Sequence, residues 1–147
     1  MPLSPTWRDR FVDLAAELCR ARGEAEPIHH ADAHQALQLS LWVDGMRFDA
    51  LHPDIDDETG DRIVLQGRLG PLPGTPQDAL WRAALAANLA LCRQQAGAFG
   101  WDESREELVF SAHRSLGDMD GTGLLRDLGD IAAHLAGWRQ ASHASSA

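Results

Sequence analysis

The sequence predicts an α+β domain with the element order α-β-β-β-α-β-β-α, an antiparallel twisted sheet with helices packed on it. Three observations lead there. The hydrophobic period switches along the chain between the 3.6 of a helix and the two of a strand. Asp44-Gly45 interrupts two alternating runs, a hairpin signal because both central positions of such a turn need positive φ. And 147 residues with 44% hydrophobic and 24% charged side chains are enough for one self-sufficient core, and unlike a disordered or fibrous chain. No internal repeat is present, so we read residues 1–147 as one domain with an ordered core of about residues 5–140.

The first helix is expected over Pro5 to Arg22, with Trp7, Phe11, Leu14, Ala15 and Leu18 at helical spacing and Arg8, Asp13, Glu17 and Arg20 opposite them. Ser4 or Thr6 supplies a cap, and Gly23 a stop. After an exposed linker, Gly23 to Asp32, the period becomes two: Leu37, Leu39, Leu41 and Val43 alternate with Gln38, Ser40 and Trp42. Beyond the Asp44-Gly45 turn, Met46, Phe48 and Ala50 alternate with Arg47 and Asp49. A third strand is expected from Arg62 to Leu69, after the acidic loop Pro53 to Asp61 and before the breakers Pro71, Pro73 and Gly74.

Thr75-Pro76-Gln77-Asp78 reads as a helix start, with Thr75 as cap, Pro76 at the first helical position and Asp78 in the positively polarised first turn. From Ala79 to Cys92, 12 of 14 residues are apolar, so the apolar surface wraps nearly all round the helix instead of forming one stripe. One face can lie on the chain's own sheet. The other meets a partner, or else the helix is buried whole inside one subunit, which single α+β domains seldom achieve. Two strands follow, Gly97 to Asp102 and Glu107 to Arg114. The last helix begins after Gly121 or Thr122 and carries Leu124, Leu128, Ile131, Leu135 and Trp138 on one face. The small, polar stretch Gln140 to Ala147 is expected to fray.

Composition removes several functions. All 13 basic residues are Arg, so every chemistry that needs a lysine is excluded, including the phosphate-gripping residue of a P-loop and Schiff-base catalysis. A formal net charge of −9 repels nucleic acid and anionic membrane surfaces at long range. With charges from Arg8 onward no signal peptide is expected, and no apolar run is long enough to span a bilayer. Cys19 and Cys92 stand far apart in apolar helical stretches and read as reduced core thiols.

Sites for chemistry are few. His29, His30, Asp32 and His34 put four possible ligands into six residues, but in a linker where nothing rigid fixes tetrahedral geometry, so no metal or other cofactor is expected. Asp54, Asp56, Asp57, Glu58 and Asp61 have the carboxylate density of a calcium loop. The register fails, because Thr59 holds the required Gly position and Leu65 the bidentate Glu position. Gly121-Thr122-Gly123 lacks the third glycine of a dinucleotide loop. The five Trp residues, at 7, 42, 81, 101 and 138, read as core or interface anchors. Trp42 is the informative one, since alternation turns it to the face opposite Leu39 and Leu41, where it becomes a contact for a ligand chain unless another element covers it.

Asn88-Leu89, then Gly97-Ala98-Phe99-Gly100-Trp101-Asp102, then Glu107-Leu108-Val109-Phe110 resemble the class I type III secretion chaperones of the Tir-chaperone, or CesT-like, family. The ending resembles it too, with Asp120, Leu124, Leu125 and Leu128 before Trp138-Arg139. The resemblance spans about Thr6 to Gln140 and implies a virulence-associated, acidic homodimer without catalytic activity in the bacterial cytoplasm. It would hold the N-terminal segment of a secreted effector in extended form and keep it competent for secretion, with the secretion ATPase as a further partner. Carried onto this chain, the family's dimer contact falls on Trp81, Leu85, Asn88, Leu89, Cys92, Phe99 and Trp101, and its effector-binding surface on Phe11, Leu18, Leu39, Leu41, Trp42 and Phe48. The acidic loop matches nothing in the pattern. Two other classes compete: an immunity or adaptor protein that covers a folded partner, and a small metal-dependent enzyme built on the His29 cluster.

Overall fold

Thr6 opens the first helix through a reciprocal capping box: its hydroxyl accepts the Asp9 N–H at 3.1 Å, and the Asp9 carboxylate accepts the Thr6 N–H at 2.9 Å. From there α1 runs Trp7–Ala21 and ends at Gly23, whose φ of +72° suits a residue without a Cβ. The computed structural model describes residues 6–25, 37–52, 61–72 and 74–144. The remaining elements are β1 (Leu37–Val43), β2 (Met46–His52), β3 (Arg62–Arg68), α2 (Gln77–Gln94), β4 (Ala98–Asp102), β5 (Glu107–Ser115), a 3-10 turn (Leu116–Asp118) and α3 (Gly121–Ala144). The expected α+β order is thus the observed one.

All pairings in the five-stranded sheet are antiparallel, in the order β1-β2-β3-β5-β4, so β1 and β4 are its edges. The β1–β2 register places Val43 opposite Met46 across the Asp44-Gly45 turn, and both turn residues take positive φ, +50° and +78°. Alternation then sorts the side chains. Leu37, Leu39, Leu41 and Val43 are buried with Met46, Phe48, Ile63, Leu65, Phe110 and Ala112, while Gln38, Ser40 and Trp42 are exposed on the second face.

Helices α1 and α3 pack against each other and both reach β1. Their buried faces, Phe11, Leu14, Leu18 from one and Leu124, Leu128, Leu135 from the other, complete the core over the inner sheet face. Gly121 permits the contact, since a Cβ there would lie 2.5 Å from the Glu17 backbone. Glu17 ties the helices further: its carboxylate accepts the Gly121 N–H at 2.9 Å and pairs with Arg10 at 3.0 Å. On the far side, Arg114 of β5 binds Asp127 of α3 through two nitrogens at 2.6 and 3.1 Å.

Three local expectations are corrected. Helix α2 starts at Gln77 with Pro76 in the N-cap position, one residue later than expected, so Thr75 is not the cap residue. Helix α3 continues to Ala144 through the stretch expected to fray, because nothing from Gln140 to Ala144 breaks a helix. Cys19 is buried as expected, but Cys92 is exposed, since it lies on a side of α2 that this chain does not cover.

Candidate functional site

The densest apolar run in the sequence folds into the least buried helix. Only Leu80, Ala84 and Leu91 of α2 are buried, whereas Leu85 is 69% and Leu89 63% exposed, with Trp81 at 40%. The reason is position. Helix α2 packs chiefly on β4, an edge strand, and so stands at the margin of the sheet instead of over its middle.

Asn88 fixes that docking. Its side-chain amide donates to the Phe99 carbonyl at 3.0 Å and its Oδ1 accepts the Phe99 N–H at 2.6 Å, so one side chain occupies both outward main-chain groups of an edge-strand residue. The Phe99 ring turns inward against Trp138 and Phe110, with centroids 4.6 and 5.4 Å away. Trp101 meets Trp81 edge to face at 5.7 Å. Between helix and strand lies an open cleft of about 250 Å³ lined by Trp81, Ala84, Leu85, Asn88, Trp101 and Leu108. All seven residues assigned to a dimer contact therefore lie on one edge of the molecule. Trp81, Leu85, Leu89 and Cys92 are at its surface, Asn88 and Trp101 half-buried, and Phe99 is buried beneath them.

The six residues assigned to effector binding do not form one surface. Phe11, Leu18, Leu39, Leu41 and Phe48 are all under 9% exposed and belong to the core, because they point to the inner face that α1 and α3 fill. Trp42 alone stands out, at 62% exposed, on the opposite face of β1. Pairing Trp42 with Leu39 and Leu41 joined two faces that strand alternation separates.

On that second face the structure reveals a polar network that sequence reasoning missed. Ser40 of β1 donates to Asp49 of β2 at 2.6 Å; Arg68 of β3 donates to Asp49 at 2.8 Å, to Glu107 of β5 at 2.8 Å and to Asp102 of β4 at 3.0 Å. One chain of charge-assisted bonds thus crosses all five strands. Burial works against ionisation of Asp49, but the bonds from Ser40 and Arg68 outweigh it and hold its carboxyl below the usual carboxylate range. Asp102 is pushed down to about 2, chiefly by the Ser104 hydroxyl and then by Arg68. The available signal was Asp49 itself, a carboxylate between Phe48 and Ala50 in a strand.

Edge β1 differs from edge β4. At β1 the outward Trp42 carbonyl accepts from the Arg22 guanidinium at the end of α1. The His29, His30, Asp32 and His34 cluster and acidic residues 53–60 lie outside the described residues. Among the described residues no group of three or more His, Cys, Asp or Glu side chains is placed to hold a metal ion, and no helix is long and apolar enough to cross a membrane.

A model of the Tir chaperone protein (CesT) family matches residues 34–139. No curated protein matches the chain. Among solved structures, the ExsC–ExsE complex contains a chain of similar fold, with a TM-score of 0.66 at 18% identity over 95% of this chain and 96% of that one. The HopA1–SchA chaperone–effector complex gives 0.63 at 19% identity, covering 89% and 94%. The Yersinia pestis type III secretion chaperone SycH, in complex with a stable fragment of YscM2, gives 0.59 at 18% identity, covering 87% and 98%.

Proposed function

The chain belongs to the Tir chaperone protein (CesT) family, a family of type III secretion chaperones, and from that premise we propose that it works as a homodimer, in the bacterial cytoplasm, without catalysing a reaction. The second copy covers the apolar edge made by α2 and β4. The client is the N-terminal segment of a secreted effector, held extended along the sheet and presented to the secretion ATPase.

The observation that carries the client reading is Trp42, 62% exposed on an edge strand of the sheet, in a chain of this family. An added strand pairs main chain to main chain with little regard to sequence, and an exposed aromatic beside it selects apolar side chains. At β4 Asn88 occupies both the N–H and the C=O of Phe99, whereas at β1 Arg22 takes the Trp42 carbonyl through an exposed contact, which an added strand displaces more readily. Ordering a disordered client costs about 2–5 kcal/mol, an amount a long apolar contact offsets. The net charge of −9 keeps the chaperone soluble while its apolar edge is open, and draws in clients with basic residues.

The test is co-purification of the secreted protein, limited proteolysis of the complex, and calorimetric titration of the protected segment. Protection of an extended N-terminal segment is expected. Trp42→Ala should weaken its binding about thirtyfold, the equivalent of about 2 kcal/mol, with unchanged circular dichroism. Protection confined to a folded domain would instead mark an immunity or adaptor protein.

A further inference from the structure

At the end of the sheet beside Trp42 lies a second cleft, of about 190 Å³, lined among others by Trp42, Arg47, Arg68, Arg105, Glu107 and Arg139. Its charge runs against that of the molecule. A chain with net charge −9 gathers four of its 13 arginines here against one lining carboxylate. That carboxylate, Glu107, is bound to Arg68 at 2.8 Å, and Arg68 is balanced further by Asp49 and Asp102.

The other three guanidinium groups are not balanced in this way. Arg47 reaches Asp49 only at 3.8 Å, and its side chain is 36% exposed. Arg105 is exposed in the β4–β5 turn and, among the described residues, makes no ion pair. Arg139, near the end of α3, donates to the Leu69 carbonyl, and its Nε–H is buried without an acceptor. Guanidinium groups recognise a carboxylate through paired N–H donors, and the indole of Trp42 offers an apolar surface for the methylenes behind it.

We propose that this cleft receives an acidic side chain of the bound client segment, its carboxylate on Arg47 and Arg105 and its stem against Trp42; the proposal rests on the chaperone reading above. It gives client choice a local rule opposite to the global one. The acidic surface attracts basic segments at long range, and this one position accepts Glu or Asp.

The experiment uses the full chain, nitrogen-15 labelled, with the tryptophan indole and arginine Nε–H signals followed by NMR. The probes are acetyl-Leu-Glu-Leu-amide, acetyl-Leu-Gln-Leu-amide and inorganic phosphate. The Glu peptide should shift the Trp42, Arg47 and Arg105 signals saturably and bind at least about fivefold tighter than the Gln peptide. Arg47→Gln with Arg105→Gln should abolish that preference. Arg105→Gln alone, at an exposed position that makes no ion pair among the described residues, should weaken it while the melting temperature stays unchanged. Equal binding of the two peptides, or phosphate shifting these signals while the Glu peptide does not, would overturn the assignment. A co-purified client complex as stable with the double variant as with wild type would overturn it too, while leaving the chaperone reading intact. Failure to co-purify any client strikes the chaperone reading, and the peptide titration still decides the cleft.

Discussion

Helices α2 and α3 lie in one chain and meet opposite fates. Helix α3 buries Leu124, Leu128, Ile131, Ala132 and Leu135. Helix α2 carries the denser apolar run yet leaves Leu85 and Leu89 more than 60% exposed. Composition does not decide this; location on the sheet does. Helix α3 shares the inner face with α1, whereas α2 stands over edge strand β4. Apolar surface beyond what the chain's own sheet covers is the mark of an interface.

The largest expected effect sharpens that contrast. Leu128→Ala, at a fully buried site, should cost about 3 kcal/mol in urea unfolding, through lost transfer energy and the cavity left behind. Leu89→Ala should change the unfolding of dilute, dissociated protein by less than about 0.5 kcal/mol. Equal losses at the two sites would mean that Leu89 is packed within its own chain.

Asn88→Ala comes next. It strips the N–H and C=O of Phe99 of their partners and should cost about 1–3 kcal/mol, with faster hydrogen exchange at the Phe99 amide. Unchanged exchange would show that the clamp does not hold α2 to β4.

The smallest effect lies on the sheet's second face. Asp49 and Asp102 have lowered pKa values in the folded chain, so their stabilisation is present above the unfolded value of 3.8 and is lost as pH falls through the folded values, which for Asp102 is about 2. Acid unfolding followed by circular dichroism should therefore steepen below about pH 4, and Asp49→Asn should flatten that slope while lowering stability at neutral pH. An identical slope in the variant would remove Asp49 from the network.

Most of the fold was legible because each signal was local: a capping residue at Ser4 or Thr6, of which the structure uses Thr6, the Asp44-Gly45 turn, and the change of period from α1 to β1. The apolar surplus of α2 was legible too, as a count. What the sequence did not reveal was which face of the sheet is covered, a tertiary fact. Alternation separates Trp42 from Leu39 and Leu41, and it is the surface carried over from the family resemblance that joins them with Phe48; the structure keeps the two faces apart. The Arg68 network escaped for a related reason. Its members, Ser40, Asp49, Arg68, Asp102 and Glu107, come from five strands, and only the register brings them together. The exposure of Cys92 and the role of Asn88 likewise depend on where α2 docks.

The central claim is that the exposed side of α2 belongs against a second copy of the chain. Sedimentation equilibrium of the untagged protein at about 1 μM tests it most directly, beside Leu85→Asp, which would place an unpaired charge in the interface. The account expects wild type at twice the chain mass of 16.0 kDa, and the variant as a folded monomer or as aggregate. A wild-type monomer at that concentration, with Leu85 and Leu89 open to water, would contradict it.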